Sequence, residues 1–373
     1  MRIVFFVNHF FPSVGGVQWS VLRTAEALAA RGHELILVTE TKADATSRDE
    51  ALPFRIMRFH VPLRRPFTRL GYWRWMWGQR KLFASADVLH FHDYTTFFHW
   101  FLPLRLLIRR PRYAVTFHGF EHWPIKRRHR LFRSVTAACC DARFAVGDYV
   151  RQLYGHPVDA VYLGAPIRSL PRFQRTDQAV FGYVGRLADD TGILPLLTAL
   201  ARAAEESCTA ITIRLAGEGP LREKIERLRS PTVEVDMLGV LEDPGQLLAS
   251  SRWIIATGFL GVFEAFDTGL PVIAPAYDFL KQHYFSSIPD AQEMLTILRD
   301  SGGSHAFFSA LLAGKLEAVI EQKAVRAREF VSHLAWADII VLLETWYEKE
   351  TPEAGRIVSQ VKIHETRRQP HVC

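Results

Sequence analysis

Short apolar strands alternate with amphipathic helices along almost the whole chain, and this repetition limits the possible folds more than any other feature. The chain opens with RIVFFV (2–7), a helical VQWSVLRTAEALAARG that ends at Gly32, and ELILVT (34–39). A strand, a helix and a strand in this order imply a right-handed parallel crossover. Further strands are predicted at 54–59, 87–92, 113–118 and 142–146. The first half is therefore a doubly wound α/β domain.

A second alternating series follows the polar stretch RSLPRFQRTDQ (168–178), which is the predicted linker. Its strands are predicted at 180–185, 209–217, 233–238, 252–257 and 271–275, with helices between them. A length of 373 residues suits two domains. We therefore expect two Rossmann-like domains, 1–167 and 179–350, that face each other across a cleft. Residues 278–350 are predicted helical, and 351–373 form a polar tail.

One acid stands out at a predicted sheet edge. In GFLGVFEAFDTGLPVIA (258–274), a glycine turn follows an apolar strand and leads into a helix that carries Glu264. In open α/β sheets, phosphorylated ligands bind at the carboxyl ends of the strands and at the helix N-termini that follow them. The turn GEGPLR (217–222) also joins a strand to a helix, but Arg222 stands where a dinucleotide fingerprint has its third glycine. For that turn, a tight connection and a ligand contact remain equal alternatives.

Cysteines and apolar runs indicate a cytoplasmic protein. Cys139, Cys140, Cys208 and Cys373 show no metal-ligand spacing, which is typical of a reducing compartment. The apolar run around 94–104 is too short to cross a bilayer. The N-terminus reads as a first strand rather than as a signal peptide.

Positive charge is concentrated in residues 61–134. This segment has fifteen Lys and Arg against three acids, although the whole chain has a net charge of only +7. It includes RRPFTRLGYWRWMWGQRK (64–81), RRPR (109–112) and KRRHR (126–130), with Phe67, Tyr72, Trp73, Trp75 and Trp77 among the cations. Aromatic and basic side chains together favour an anionic membrane surface. The alternative is a solvated basic helix face whose aromatics point into the core; nucleic-acid binding lacks a recognition motif.

Six motifs in one order carry a family resemblance. They are PSVGG (12–16), TFHGFE (116–121), YVGRLADDTG (183–192), LAGEGP (215–220), MLGVLED (237–243) and FEAFDTGLPVIA (263–274). With this order, the chain resembles the group 1 glycosyltransferases, a retaining nucleotide-sugar family of GT-B fold. The resemblance runs from about residue 2 to 275, with a weaker similarity to the family's closing helices at 325–347.

The resemblance implies roles for residues of the second domain. Glu264 matches the acid that accepts hydrogen bonds from the nucleotide ribose, and a carboxylate can accept two vicinal hydroxyls. Arg186 matches the basic residue on the donor diphosphate, where it would stabilise charge on the leaving group. Gly217, Gly219 and Gly261 match glycines that line the donor site. The donor would be a nucleotide-sugar, with no cofactor and no obligatory metal.

The resemblance also implies roles in the first domain. Gly15 and Gly16 match a loop whose amides approach the donor phosphates or the acceptor, where close approach and positive φ favour glycine. His118 matches a histidine that faces the reacting sugar. The acceptor would be a saccharide or a lipid-linked precursor of a polysaccharide or lipopolysaccharide, met at the cytoplasmic membrane face.

The chain departs from the family pattern at two positions. The family has a Glu eight positions before the ribose acid; here Ala256 stands there, or Thr257 if one residue is deleted. The family also has a Lys five residues after the Arg, where this chain has Thr191. The sugar and diphosphate sites are thereby weakened, whereas the ribose site is intact.

Two other functions remain open on these grounds. The losses favour a catalytically impaired scaffold that binds nucleotides or carbohydrates, and two Rossmann-like domains would also suit a nucleotide-sugar epimerase. His90, His92 and Asp93 could suggest a metal site, but a third ligand at the usual spacing is missing. Burial of both histidines in a strand is the better interpretation.

Overall fold

The computed structural model describes residues 1–13, 15–40, 49–61, 68–119, 123–167, 178–241 and 243–348. The predicted linker, apart from Gln178, and the tail 351–373 lie outside the described residues, so the division of the chain at 168–178 stays a prediction.

Seven parallel strands form the sheet of the first domain, in the order β3-β2-β1-β4-β5-β6-β7. They are β1 Arg2–Val7, β2 Glu34–Glu40, β3 Arg55–Phe59, β4 Val88–His92, β5 Arg112–Phe117, β6 Ala142–Val146 and β7 Ala160–Tyr162. The helices are α1 Gly16–Ala30, α2 Thr68–Gly78, α3 Arg80–Ser85, α4 Tyr94–Thr96, α5 Leu102–Arg105, α6 Arg127–Cys139 and α7 Asp148–Tyr154, with a π-helical Phe97–Phe101 between α4 and α5. Because the strands are buried on both faces, they read as nearly continuous apolar runs.

Six parallel strands form the second sheet, in the order β10-β9-β8-β11-β12-β13. They are β8 Val180–Val184, β9 Ile211–Ala216, β10 Val233–Gly239, β11 Trp253–Ile255, β12 Val272–Pro275 and β13 Thr296–Leu298. The helices are α8 Ile193–Glu206, α9 Arg222–Glu226, α10 Gly245–Ala249, α11 Phe259–Thr268, α12 Phe279–Ser286, α13 Ala291–Met294, α14 Ser301–Leu312, α15 Glu317–Ser332 and α16 Trp336–Tyr347. Both sheets have the doubly wound Rossmann order, which confirms the predicted fold.

Two elements differ from the sequence prediction. Residues 278–350 were expected to be helical, but Thr296–Leu298 forms an edge strand that pairs with β12. Three residues are too few to show an alternating pattern, so only the open edge of the sheet decides their conformation. Helix α7 was also not predicted; it ends at Gly155, which adopts a left-handed conformation.

The last helix returns to the first domain, although the sequence analysis grouped it with the second. Ile340 and Leu343 of α16 are fully buried in the core of the first domain, where α16 packs on α1. The carboxylate of Glu344 accepts hydrogen bonds from Arg31 at 2.7 Å and from His33 at 2.8 Å. An amphipathic pattern shows that a helix has an apolar face, but not which domain covers it.

Candidate active site

The predicted site residues follow the carboxyl ends of strands in both domains. His118 comes directly after β5, and the loop that holds Arg186 comes after β8. Gly217 follows β9, and the turn into α11 follows β11. Because the strands of each sheet are parallel, these positions lie at one edge of each domain.

A chain of aromatic contacts joins the two edges. The hydroxyl of Tyr149, on α7, donates a hydrogen bond to the main-chain oxygen of His118 at 2.8 Å. The Tyr149 ring packs edge-on against Tyr284 of the second domain, with centroids 5.2 Å apart. Tyr284 in turn stacks on Phe259 at 3.8 Å and accepts a hydrogen bond from the Phe259 amide at 2.6 Å. His118 and the N-terminus of α11 therefore lie at the two ends of one contact chain.

Gly119 and Gly147 allow this contact between the domains. Both have positive φ, 74° and 88°. A Cβ atom on Gly119 would lie 2.2 Å from the Tyr149 hydroxyl oxygen, and one on Gly147 would lie 2.8 Å from the Phe259 ring. The glycine after His118 in the TFHG motif thus makes room for the hydroxyl that holds the His118 main chain.

Arg186 is exposed to solvent on a loop whose main chain is held by Tyr183. Its side chain is 59 % exposed and donates to Asp190 at 2.6 Å. The hydroxyl of Tyr183, at the end of β8, donates to the main-chain oxygen of Arg186 at 2.7 Å and lies 3.4 Å from the Thr257 hydroxyl. Tyr183 therefore joins the Arg186 loop to the turn before α11.

The main chain of the glycine turn after β9 packs directly against the main chain of the Arg186 loop. A Cβ on Gly217 would lie 1.8 Å from the main-chain oxygen of Gly185, and one on Gly219 would lie 2.2 Å from that of Leu187. The Leu187 amide also donates to the main-chain oxygen of Glu218 at 3.0 Å. The need for glycine at 217 and 219 is thus explained by support of the Arg186 loop; their contact with a donor stays a prediction.

Helix α11 offers an open N-terminus and a neighbouring acid. Its N-cap, Gly258, has no side chain to cap the helix amides. A Cβ on Gly261 would meet no atom within 4 Å, so the first turn borders open space. Glu264 lies one turn further on the same side of the helix and is partly exposed. The Phe259 amide is bonded to the Tyr284 hydroxyl, but the positive end of the helix still favours an anion, and Glu264 can accept from hydroxyls beside it.

One of the two family departures lies beside a basic residue for which the sequence predicts no role. Ala256 is buried, its amide bonded to the main-chain oxygen of Ile273, and Thr191 is buried in the turn after Arg186. The ammonium group of Lys281, on α12, donates to the main-chain oxygen of Thr257 at 2.5 Å. Burial lowers the pKa of Lys281 to about 8, although Asp190 and Asp278 act to raise it. No motif points to Lys281, because the last of the six motifs ends at residue 274, before α12 begins.

Three histidines form a stack in the first domain. His90 and His92 are buried in β4, as expected, with ring centroids 4.7 Å apart. Nδ1 of His92 lies 3.2 Å from Nε2 of His118. Burial lowers the pKa of His90 to about 3 and that of His118 to about 4, and holds the pKa of His92 well below its usual value. All three rings are therefore neutral near pH 7.

Asp93 and Arg133 flank this stack; from the sequence, Asp93 was considered only for a metal site, and Arg133 had no predicted role. Asp93 has a φ of 73°, unusual for a residue with a side chain, and lies 3.5 Å from Arg133. Arg133 is fully buried, with its guanidinium over the rings of Tyr94 and Tyr154. The positive φ after His92 is the kind of signal that only coordinates give.

The N-terminal glycines differ from their predicted conformation. Gly15 is extended, with a φ of −176°, and Gly16 begins α1, so neither has the positive φ that was expected. A Cβ on Gly16 would meet nothing within 4 Å, so close approach of a ligand stays open at this position. Phe120 and Glu121 of the TFHGFE motif lie outside the described residues.

The described part of the chain lacks a metal-binding cluster and has a cavity away from the predicted site. It holds no group of three or more His, Cys, Asp or Glu residues suited to a metal ion. A surface cavity of about 760 Å³ lies at the amino ends of β8, β9 and β10, and none of the predicted site residues lines it.

Family models match most of the chain. Residues 14–164 match the model of glycosyltransferase family 4, and residues 178–284 match that of glycosyl transferases group 1. No curated protein matches the sequence.

Solved structures match the whole fold at low sequence identity. HepE of Anabaena, in complex with UDP and glucose, has a TM-score of 0.70 and 15 % identity over 92 % of this chain and 98 % of its own. TarM of S. aureus, in complex with Fondaparinux, alpha-GlcNAc-glycerol and UDP, has a TM-score of 0.72 and 10 % identity over 93 % and 100 %. WaaG, a glycosyltransferase involved in lipopolysaccharide biosynthesis, has a TM-score of 0.65 and 15 % identity over 92 % and 98 %.

The fold and the two family matches lead to one conclusion. The matched segments span more than two thirds of the chain, one in each Rossmann-like domain. The chain belongs to the group 1 glycosyltransferases of GT-B fold.

Proposed function

We propose that this glycosyltransferase moves a hexosyl group from a nucleoside diphosphate sugar to a saccharide or lipid-linked acceptor, with retention of anomeric configuration. The observation that carries the proposal is the convergence of Arg186, the N-terminus of α11 and Glu264 at one sheet edge. Together they offer two positive groups for a diphosphate and one acceptor for a ribose. The UDP bound in the HepE and TarM complexes supports a uridine nucleotide.

In the proposed reaction, the bond between the sugar and the diphosphate breaks and negative charge grows on the leaving phosphate. Arg186 and the amides at the start of α11 stabilise this charge, and the amides of Gly15 and Gly16 approach the phosphates from the first domain. Because these groups supply positive charge, the reaction would need no obligatory metal. His118, neutral near pH 7, would face the reacting sugar.

Replacement of Glu264 tests the nucleotide site. Glu264→Gln should weaken binding of the preferred nucleotide by about 10- to 100-fold, because hydrogen bonds to a charged acceptor contribute about 1.5–3 kcal/mol. A thermal-shift titration with UDP, GDP and ADP measures this loss. Asp267→Asn, on the same helix, is the control and should bind as the native chain does. Equal affinity of native chain and Glu264→Gln would contradict the ribose role.

A scaffold that binds without turnover is the second candidate function. It is favoured by Ala256 and Thr191, which remove an acid and a cation of the family pattern. Nucleotide binding without release of nucleoside diphosphate from any donor and acceptor would select it. Product formation without an acceptor would instead select an epimerase.

We also propose that a basic face of the first domain docks on anionic membrane lipid, at the cytoplasmic side. Helices α2, α5 and α6 pack around Phe97–Phe101. The basic face is defined by exposed cations on α2, on α6 and the residue before it, and in the turn after α5: Arg69, Arg74, Arg109, Arg110, Lys126, Arg127, Arg128 and Arg130. Exposed apolar side chains lie among them, namely Leu70, Trp77, Leu106, Leu107 and Leu131. In the described residues, no helix is long and apolar enough to cross a membrane.

The aromatic residues give only part of the support expected from the sequence. Tyr72 and Trp75 pack against Phe59, and the Trp73 indole donates to the main-chain oxygen of His99 at 2.9 Å. Trp77 is 47 % exposed, and Phe67 lies outside the described residues. The docking proposal therefore rests on the cations and the exposed leucines.

Vesicle co-sedimentation tests docking. The triple variant R127S/R128S/R130S should lose binding to vesicles with anionic lipid, since each cation near such a surface contributes about 1 kcal/mol. The matched control R202S/K224S/R227S removes three exposed cations of the second domain and should bind as the native chain does. Equal binding of the native chain to neutral and anionic vesicles would refute the proposal.

A further inference from the structure

His92 is a buried histidine whose ring lies next to that of His118. It ends β4, where its main chain pairs with Val7 of β1 on one side and with Thr116 of β5 on the other. Its ring stacks on that of His90, with centroids 4.7 Å apart, and packs edge-on against a phenylalanine of β1 at 4.8 Å. The His92 imidazole therefore has a fixed position in the core of the first domain.

The hydrogen bond between the two rings uses one nitrogen of His118. Nδ1 of His92 lies 3.2 Å from Nε2 of His118, and the two ring planes are inclined by 28°. His118 itself is partly exposed, directly after the carboxyl end of β5. Its other ring nitrogen, Nδ1, makes no hydrogen bond within the part of the chain that the structure describes. That nitrogen is left for a ligand at the sheet edge.

The position of the shared proton follows from the far side of His92. A neutral imidazole has one N–H donor and one acceptor nitrogen, so only one of the two facing nitrogens carries a proton. Nε2 of His92 is buried without a hydrogen-bond partner among the described residues, and both nitrogens of His90 are bonded elsewhere, to Tyr347 and Thr116. In protein interiors, N–H donors without a partner are rarer than unpaired acceptors. The proton of His92 therefore belongs on Nδ1, which donates it to His118.

This hydrogen bond fixes the tautomer of His118. Because Nε2 of His118 accepts from His92, the proton of the neutral His118 ring lies on Nδ1. Burial lowers the pKa of His118 to about 4, so the ring stays neutral near pH 7. At the sheet edge, His118 thus presents a hydrogen-bond donor. It does not present a basic nitrogen that could take a proton from an acceptor hydroxyl.

We propose that His92 is a positioning residue of the sugar-transfer reaction: it holds His118 in the tautomer protonated at Nδ1, so that His118 binds a sugar oxygen as a donor. The inference rests on the proposed function, because it presumes a sugar beside His118. The tautomer itself can be measured without any substrate.

Nitrogen NMR of the native chain measures both tautomers. In protein labelled with ¹⁵N-histidine, the ring signals distinguish a protonated nitrogen from an unprotonated one. The signals of the two residues are assigned by their loss in His92→Asn and His118→Phe. Near pH 7, Nδ1 of both residues should be protonated and Nε2 of both should be unprotonated. A protonated Nε2 on His92 or on His118 would overturn the inference.

Turnover of two His92 variants tests whether the tautomer matters for the reaction. His92→Phe keeps a ring but removes the donor, so His118 is free to take either tautomer. Release of nucleoside diphosphate from UDP-, GDP- or ADP-glucose should then fall about 3- to 10-fold, the effect of one hydrogen bond. The amide of His92→Asn can donate from the position of Nδ1, so this variant should retain most of the activity.

His156→Phe is the matched control. His156 is 4 % exposed, as is His92, and its ring also packs on an aromatic ring, that of Phe117 at 4.0 Å. Its Nδ1 is bonded to the main-chain oxygen of Pro157 and not to His118, so the variant should keep native turnover. Equal losses in His92→Phe and His156→Phe, or in His92→Phe and His92→Asn, would overturn the inference in favour of a structural role. A native chain that turns over none of the three donors would refute the proposed function, whereas the NMR signals test the tautomer separately.

Discussion

The Tyr149 hydroxyl donates a hydrogen bond to the main-chain oxygen of His118 at 2.8 Å, and the Tyr149 ring packs on the second domain. One side chain thus sets the position of a predicted catalytic residue and also belongs to the domain interface. We therefore expect changes at the domain interface to affect the geometry of His118 through Tyr149.

Tyr149→Phe should lower the turnover of donor several-fold. It removes the hydrogen bond to His118 but keeps the ring contacts with Tyr284, so the stability loss should be about 1 kcal/mol. Steady-state kinetics and chemical unfolding measure the two effects. Tyr113→Phe is the control, since its hydroxyl bonds to the main-chain oxygen of Ile108 at the far end of β5. It should lose similar stability and keep full activity; equal activity losses in both variants would contradict the coupling.

Gly217→Ala should destabilise the second domain by about 3 kcal/mol or more. The new Cβ would lie 1.8 Å from the main-chain oxygen of Gly185, so the backbone of the Arg186 loop must move. Gly314→Ala is the matched control: its φ is 74°, but nothing lies within 4 Å of the added atom, so only backbone strain of about 1–2 kcal/mol is expected. The unfolding midpoints of the two variants are the measurement. Equal shifts in both midpoints would show that the close approach of residues 217 and 185 does not contribute to the loss of stability.

The free energy of unfolding should decrease as the pH falls below about 6.5. Each buried histidine has a lower pKa in the folded state than in the unfolded state, so unfolding takes up protons. Stability is fully present above pH 6.5 and is lost as the pH falls towards 4, by about 1.4 kcal/mol per pH unit for each histidine. Urea unfolding from pH 7.5 to 5 measures the slope.

His92→Phe keeps a ring in the stack but removes one titratable group. It should reduce the pH dependence of the unfolding free energy by the contribution of one proton, about 1.4 kcal/mol per pH unit. His60→Gln, a change of an exposed histidine, serves as the control and should leave the slope unaltered. A stability that does not vary between pH 7.5 and 5 would refute the neutral state of the stack.

Arg186→Ala should reduce kcat/KM by about 100-fold or more, because it removes positive charge from the leaving group. Its stability should change by less than about 1 kcal/mol, since the bond with Asp190 is exposed. Arg202→Ala removes a similar exposed pair with Glu206 on α8 and is the matched control. Release of nucleoside diphosphate from the donor is the assay. Full activity of Arg186→Ala would exclude a role in the chemistry.

Local sequence patterns are enough to predict the two-domain α/β fold and the loops that hold the predicted site residues. Strands buried on both faces and helices with one apolar face leave periodic signals within ten or fifteen residues, so the strands and the helices between them are predicted from local pattern alone. Parallel strands then bring Arg186, Gly217 and Glu264 to one edge without knowledge of any side-chain contact.

Contacts between residues distant in the chain could not be predicted from the sequence. Three contacts are of this kind: Lys281 with Thr257, Tyr149 with His118, and α16 with α1. Each joins two segments whose local sequences do not indicate that they will be in contact. The edge strand Thr296–Leu298 was missed for the same reason, because three residues take their conformation from the strand beside them. Local propensity specifies elements, whereas the identity of a site depends on packing between them.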